Sequence, residues 1–181
     1  MEFSELNRRV QEATPALPFK GIHRFFDISG ILRDPNLFAA TIAQLGLLVN
    51  KLAPEFVCAL DARGFLLAAP VCLALKLPLI MIRKKGKLPG ECVSTEYDKE
   101  YEMGDVLEIQ SGSIIPGSRI VLIDDVLATG GTLRAAHSLV SQFNPSNVVG
   151  VCLIDIGLPD VAKNLDDEGI KVVSLFDASS W

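Results

Sequence analysis

Apolar residues along this chain follow two alternating rhythms. Phe3, Leu6, Val10 and Ala13 recur at helical spacing and predict a short amphipathic helix that Thr14-Pro15 stops. Residues 14–33 show no clear period. Asp34-Pro35 reads as a cap followed by proline at the first helical position. Leu37, Phe38, Thr41, Ile42, Leu45, Leu48, Val49 and Leu52 then make one broad face, ended by Pro54. Beyond it, continuous apolar runs predict strands at 56–60, 79–82, 119–123, 148–154 and 172–176, with helices at 64–76, 132–143 and 159–168 between them. A run with no polar alternation is buried on both faces, so the chain predicts an α/β fold, a mostly parallel sheet flanked by helices.

One interval breaks this rhythm. Arg83, Lys84, Lys85 and Lys87 are followed by Glu91, Glu96, Asp98, Glu100, Glu102, Asp105 and Glu108. Residues 106–109 (VLEI) have strand character, and the rest reads as a long polar connection. Within a compact domain such a connection is either functional or a solvated excursion.

Composition narrows the classes. The 181 residues (19.6 kDa) fit a single domain, and 49% hydrophobic residues with mean hydropathy +0.35 exclude disorder. Seventeen basic against twenty-two acidic residues give a net charge of −5, which disfavours binding to a nucleic-acid backbone. His23 and His137 are too few for most histidine metal sites. Residues 64–82 approach a membrane-spanning length, but Lys76, Pro70 and Pro78 break the run into a helix and a strand. The polar N-terminus is neither a signal nor a transit segment. Cys58, Cys72, Cys92 and Cys152 form no C-x-x-C pair, and Cys58 and Cys152 sit in apolar runs as buried thiols. A reducing, cytoplasmic location is expected.

The strongest chemical signal is VLIDDVLATGGT, residues 121–132. An apolar strand ends in Asp124 and Asp125, and the loop Ala128-Thr129-Gly130-Gly131-Thr132 opens a helix. Backbone N–H groups at such a helix start attract an anion, and glycines let phosphate oxygens approach the backbone. No lysine follows the glycines, so the loop is not a nucleoside-triphosphate P-loop. Two carboxylates beside a phosphate cradle suit a neutral diol, and a ribose 5-phosphate has one. Asp61-Ala62-Arg63-Gly64 repeats the strand-to-helix location after strand 56–60, with Arg63 suited to phosphate oxygens or to a surface salt bridge. The cluster 83–87 in an acidic chain fits a small polyanion.

Together these segments resemble the type I phosphoribosyltransferases, and within them the adenine-specific enzymes. The resemblance covers roughly residues 15–156 in ordered pieces: 27–29 (DIS), 60–65 (LDARGF), 83–90 (RKKGKLPG), Glu100-Tyr101, 107–110 (LEIQ) and 121–132. It implies transfer of a 5-phosphoribosyl group from phosphoribosyl pyrophosphate to adenine, giving AMP and pyrophosphate. Another purine base, or a non-catalytic sensor of phosphoribosyl pyrophosphate, is the alternative. It implies a single domain over 1–181, with a base-binding segment at about 1–33 and a mobile lid loop at about 88–105. In the roles it implies, Asp124, Asp125, Ala128, Thr129, Gly130, Gly131 and Thr132 bind the ribose phosphate and its diol. Asp61, Ala62, Arg63, Arg83 and Lys87 meet the pyrophosphate, with a cis peptide at Asp61–Ala62 and Arg83 reaching its own or a partner's site. Glu100, Tyr101 and Arg63 serve catalysis, although Glu96-Tyr97 repeats the dipeptide four residues earlier. Arg24, Phe25, Phe26 and Ile156 bind the base, with Phe25 as the stacking ring, or Arg24 in its place if the count runs forward from Gly21. The paired phenylalanines also suit a core. The resemblance further implies Mg2+ carried by the substrate pyrophosphate rather than by a protein cage, a homodimer, and neither nucleic-acid nor membrane partners.

Overall fold

The apolar runs at 56–60, 119–123 and 148–154 become strands that helices cover, whereas the run at 79–82 keeps Leu79 and Met81 exposed. The computed structural model describes residues 1–19, 22–99 and 102–181. Its strands are β1 (Ala16–Phe19), β2 (Ile22–Phe26), β3 (Phe56–Leu60), β4 (Leu79–Lys84), β5 (Cys92–Lys99), β6 (Glu102–Gln110), β7 (Arg119–Leu127), β8 (Asn147–Asp155) and β9 (Lys171–Asp177). The helices are α1 (Phe3–Ala13), α2 (Ser29–Arg33), α3 (Pro35–Lys51), α4 (Arg63–Leu75), α5 (Gly131–Ser141) and α6 (Val161–Asp167). β1 and β2 pair as a separate hairpin, and the other strands form one sheet in the order β5-β6-β4-β3-β7-β8-β9. Neighbours from β3 and β4 through β9 are parallel, while β6 and β5 extend the β4 edge antiparallel.

Residue alternation divides the core. Val57, Ala59, Val121 and Ile123 pack with Leu67 and Val71 of α4 and Leu37 and Leu45 of α3. Cys58, Leu60, Ile120 and Leu122 pack with Leu139 and Val140 of α5. α4 and α5 therefore lie on opposite faces. β3 leads through α4 to β4 on one side, whereas β7 leads through α5 to β8 on the other. The order reverses between β3 and β7, and a crevice opens where their carboxyl ends diverge, the usual ligand position in such sheets. Asp34 caps α3 as expected, its Oδ1 accepting from the N–H groups of Asn36 and Leu37 at 3.0 Å each.

The structure differs from the sequence reading in three places. The aperiodic stretch 14–33 holds the β1–β2 hairpin and α2. Its register shifts between Leu17 and Phe19, around Pro18, which has no N–H for a ladder. The span 88–105, read as a loop, is for the most part the hairpin of β5 and β6, with a shift between Tyr97 and Lys99. Among the positions of these strands whose burial is described, Leu107 and Ile109 are the buried ones, and charges such as Glu96, Asp105 and Glu108 hide the period of two. β7 runs four residues past 123, through Leu127, so the strand continues beyond Asp124 and Asp125 instead of ending at them. Among the described residues no helix is long and apolar enough to cross a membrane.

Candidate active site

Asp124 and Asp125 are neighbours near the end of β7, and their carboxyl groups are close enough to interact. Asp125 is 4% exposed. The Nε of Arg63 lies 2.8 Å from its Oδ2, an ion pair rather than an aligned hydrogen bond. Asp124 is half-buried, and its Oδ1 accepts the N–H of Asp125 at 2.9 Å. Burial pushes the proton affinity of Asp124 well up, and the neighbouring Asp125 charge adds to it. Burial also raises Asp125, with Arg63 opposing.

The loop after β7 turns through Gly130, whose φ of 81° is the left-handed conformation that glycine takes freely, and α5 starts at Gly131. Asp124, Ala128, Thr129, Gly130, Gly131 and Thr132 line a cavity of about 70 Å³ there. Arg134 braces this loop: its guanidinium donates to the Thr129 carbonyl at 2.9 Å and to Glu168 Oε2 at 2.6 Å. A larger cleft of about 370 Å³ adjoins it and shares Asp124, Val126, Ala128 and Thr132. Arg24, Phe25, Phe26, Asp61, Ala62, Arg63, Asp125 and Ile156 also line the cleft. The Asp61–Ala62 peptide is cis. α4 begins at once after it, and Gly64 brings the helix so close to β7 that a Cβ there would stand 2.6 Å from the Ile123 carbonyl oxygen.

A small cradle, a larger cleft and a carboxylate, Asp124, shared between them are the parts a phosphorylated sugar and a planar base require. The model of the phosphoribosyl transferase domain matches residues 30–177. Adenine phosphoribosyltransferase of Rhodospirillum rubrum is 43% identical over 142 residues, covering 78% of this chain and 82% of the relative. The chain belongs to the adenine phosphoribosyltransferase family. The crystal structure of the Thermoanaerobacter pseudethanolicus member superposes with a TM-score of 0.83 at 33% identity, over 97% of this chain and 99% of that one. The Saccharomyces cerevisiae member, crystallised with adenine and an imino-altritol bisphosphate, gives a TM-score of 0.82 at 32% identity, over 95% and 99% of the two chains.

Most residues expected from the family pattern meet in one place. Arg24, Phe25, Phe26, Asp61, Ala62, Arg63, Asp124, Asp125, Ala128, Thr132 and Ile156 line the cleft, while Thr129, Gly130 and Gly131 belong to the cradle alone. Arg83 and Lys87 line neither cavity. Arg83 instead donates from Nε to Asp61 Oδ2 at 3.1 Å and from a terminal nitrogen to the Lys87 carbonyl at 3.2 Å. Strand alternation explains this: Lys84 sits on the other face of β4 from Arg83 and lines the cleft, its Nζ 3.0 Å from Asp105 Oδ2. Glu100 and Tyr101 lie outside the described residues. Arg134 was not singled out in the sequence. The signal that could have found it is its place in the first turn after the glycines.

Of the remaining candidates, Cys152 lines the cradle, whereas the other cysteines and His137 line neither cavity. The four cysteines are free thiols, with Cys58, Cys72 and Cys152 buried and Cys92 partly exposed. Burial pushes Cys58 up to about 12 and Cys72 up to about 11, so neither is a nucleophile at neutral pH. His137 is held below its ordinary value by burial.

Proposed function

We propose that this protein transfers the 5-phosphoribosyl group of phosphoribosyl pyrophosphate to adenine, releasing pyrophosphate and forming AMP in purine salvage. The observation that carries this reading is the joining of cradle and cleft at Asp124, where the strand order reverses. In this reading N–H groups of residues 128–132 and the α5 terminus hold the 5-phosphate, with the hydroxyls of Thr129 and Thr132. Asp124 and Asp125 accept hydrogen bonds from the ribose hydroxyls and place the anomeric carbon beneath the base. The base stacks on Phe25, Ile156 supplies an apolar wall, and the backbone of Arg24 and Phe26 reads the purine edge. Arg63, Ala62 and Asp61 meet the pyrophosphate, with Arg83 and Lys87 at its rim.

The base nitrogen forms its bond to the anomeric carbon as the bond to pyrophosphate breaks. Positive charge grows on the ribose ring, and the buried carboxylates stabilise it. Glu100 takes the proton that the purine ring loses, with Tyr101 beside the leaving group. Among the described residues no three metal-ligating side chains cluster. Magnesium enters as part of the substrate, on its pyrophosphate, whose charge it neutralises. The chain works as one domain, in which the segment of about 1–33 closes the base site and the hairpin across 88–105 forms the lid that keeps water from the charged centre. α4 and β4 leave Leu66, Leu73, Leu79 and Met81 exposed beside Arg83, an apolar surface suited to a second copy. Free thiols suit the cytoplasm. Pyrophosphate release on mixing with phosphoribosyl pyrophosphate and a panel of bases tests the reading. Release with adenine alone supports it. Preference for hypoxanthine or guanine, or no release with any base, overturns it.

A further inference from the structure

Arg63 stands between the two halves of the cleft. Its guanidinium carbon lies 4.5 Å from the centroid of the Phe25 ring. Its Nε pairs with Asp125 Oδ2 at 2.8 Å, and a terminal nitrogen donates to the Phe26 carbonyl at 3.4 Å. Phe25, Phe26, Asp125 and Arg63 all line the same cavity, so the cation covers a ring face that looks into it. A guanidinium that close to a ring centroid occupies the volume a stacked purine needs. The same side chain neutralises a carboxylate that the proposed ribose diol must reach. Both subsites are thus partly filled by one residue of the protein itself.

We propose that Arg63 is an internal occupant of the empty site, which pyrophosphate draws off Phe25 and Asp125, so that affinity for the base depends on whether the pyrophosphate position is filled. The inference rests on the reading above, and adds that one residue couples the two ligands. The planar fork of arginine binds phosphate oxygens by paired, charge-assisted hydrogen bonds, stronger than a cation over a ring. A pyrophosphate group therefore wins the competition for Arg63. The base alone has no comparable partner to offer it and must displace it unaided. Coupling of this kind is reciprocal, so adenine tightens pyrophosphate by the same factor. Its size follows the cation–ring contact, a factor of about two to thirty in affinity.

Calorimetric titration of adenine into the protein, with and without saturating inorganic pyrophosphate and magnesium, measures it, because these two ligands cannot react together. Adenine is expected to bind about two- to thirtyfold more tightly with pyrophosphate present. In Phe25→Leu, which keeps apolar bulk and removes the aromatic face, that factor falls to about one while pyrophosphate alone still binds. Arg63→Gln loses the dependence as well. Equal adenine affinity with and without pyrophosphate in the unmodified protein overturns the proposal, as does full coupling in either variant. Pyrophosphate release with adenine is measured separately. An enzyme active in that assay but without coupling refutes this inference and leaves the assigned reaction standing, whereas an inactive protein refutes the reaction.

Discussion

Burying two neighbouring carboxylates destabilises an empty site, because each loses hydration and repels the other. Arg63 and backbone N–H groups offset part of this, Arg63 chiefly at its ion-pair partner Asp125. The folded protein holds protons on this pair more tightly than the unfolded chain. The stability it contributes is therefore full below about pH 4 and is lost as pH rises through the raised folded-state values. Asp124→Asn removes that loss. It is expected to stabilise the protein by about 0.5–2 kcal/mol at pH 8, with little gain at pH 4, and to abolish most transferase activity. Denaturant midpoints at the two pH values check the first part. A gain as large at pH 4 would show that charge is not the cause. If Glu100 handles the proton as proposed, Glu100→Gln is expected to lower kcat by about 10²–10⁴ with little change in KM, and Glu96→Gln to do much less. The reverse order would place the proton-handling carboxylate four residues earlier.

The loops at the ends of β3 and β7 are held by contacts that carry no chemistry themselves. Gly64 lets α4 start against the Ile123 carbonyl. Gly64→Ala must push the helix from β7, costing about 1–3 kcal/mol and displacing Arg63, and a lowered urea midpoint together with a raised pyrophosphate Kd would record both. Arg134 ties the Thr129 carbonyl to Glu168, just past α6. Arg134→Met is expected to raise the KM for phosphoribosyl pyrophosphate several-fold, with the loss of a charge-assisted hydrogen bond of about 1.5–3 kcal/mol as the upper limit. If kcat falls instead and KM holds, the brace does not act on the cradle. The two hairpins were poorly legible because their patterns are not those of a buried strand. β1 is interrupted at Pro18, and Glu96, Asp105 and Glu108 put charge on β5 and β6 at positions outside the core.

At the scale of the molecule, Leu73 is 83% exposed on α4, and Leu66, Leu79 and Met81 are exposed with it. Water against so much apolar surface favours association with a second copy. Leu73→Glu together with Met81→Glu is expected to convert a dimer of this chain to a monomer, read as a halved mass by sedimentation. Activity should fall with it if Arg83 serves the partner's site. An unmodified protein that sediments as a monomer with full activity would remove the shared-site idea.

Sequence alone determined the alternation of the buried strands and their helices from 34 onward, the 88–105 span excepted, because burial on two faces demands unbroken apolar runs. It also marked the cradle and Asp61-Ala62-Arg63, since glycines, hydroxyls and paired carboxylates at strand ends have few other uses. Tertiary structure decided which of these meet. The reversal of strand order between β3 and β7 brings Arg63 to Asp125, sixty-two positions later in the chain. Alternation along β4 turns Lys84 into the cleft and leaves Arg83 on Asp61. Neither outcome is written in local pattern, because the face a side chain takes depends on where its strand begins to pair. The hairpin that sets Phe25 over Arg63 rests on contacts between distant segments, which no window of sequence contains.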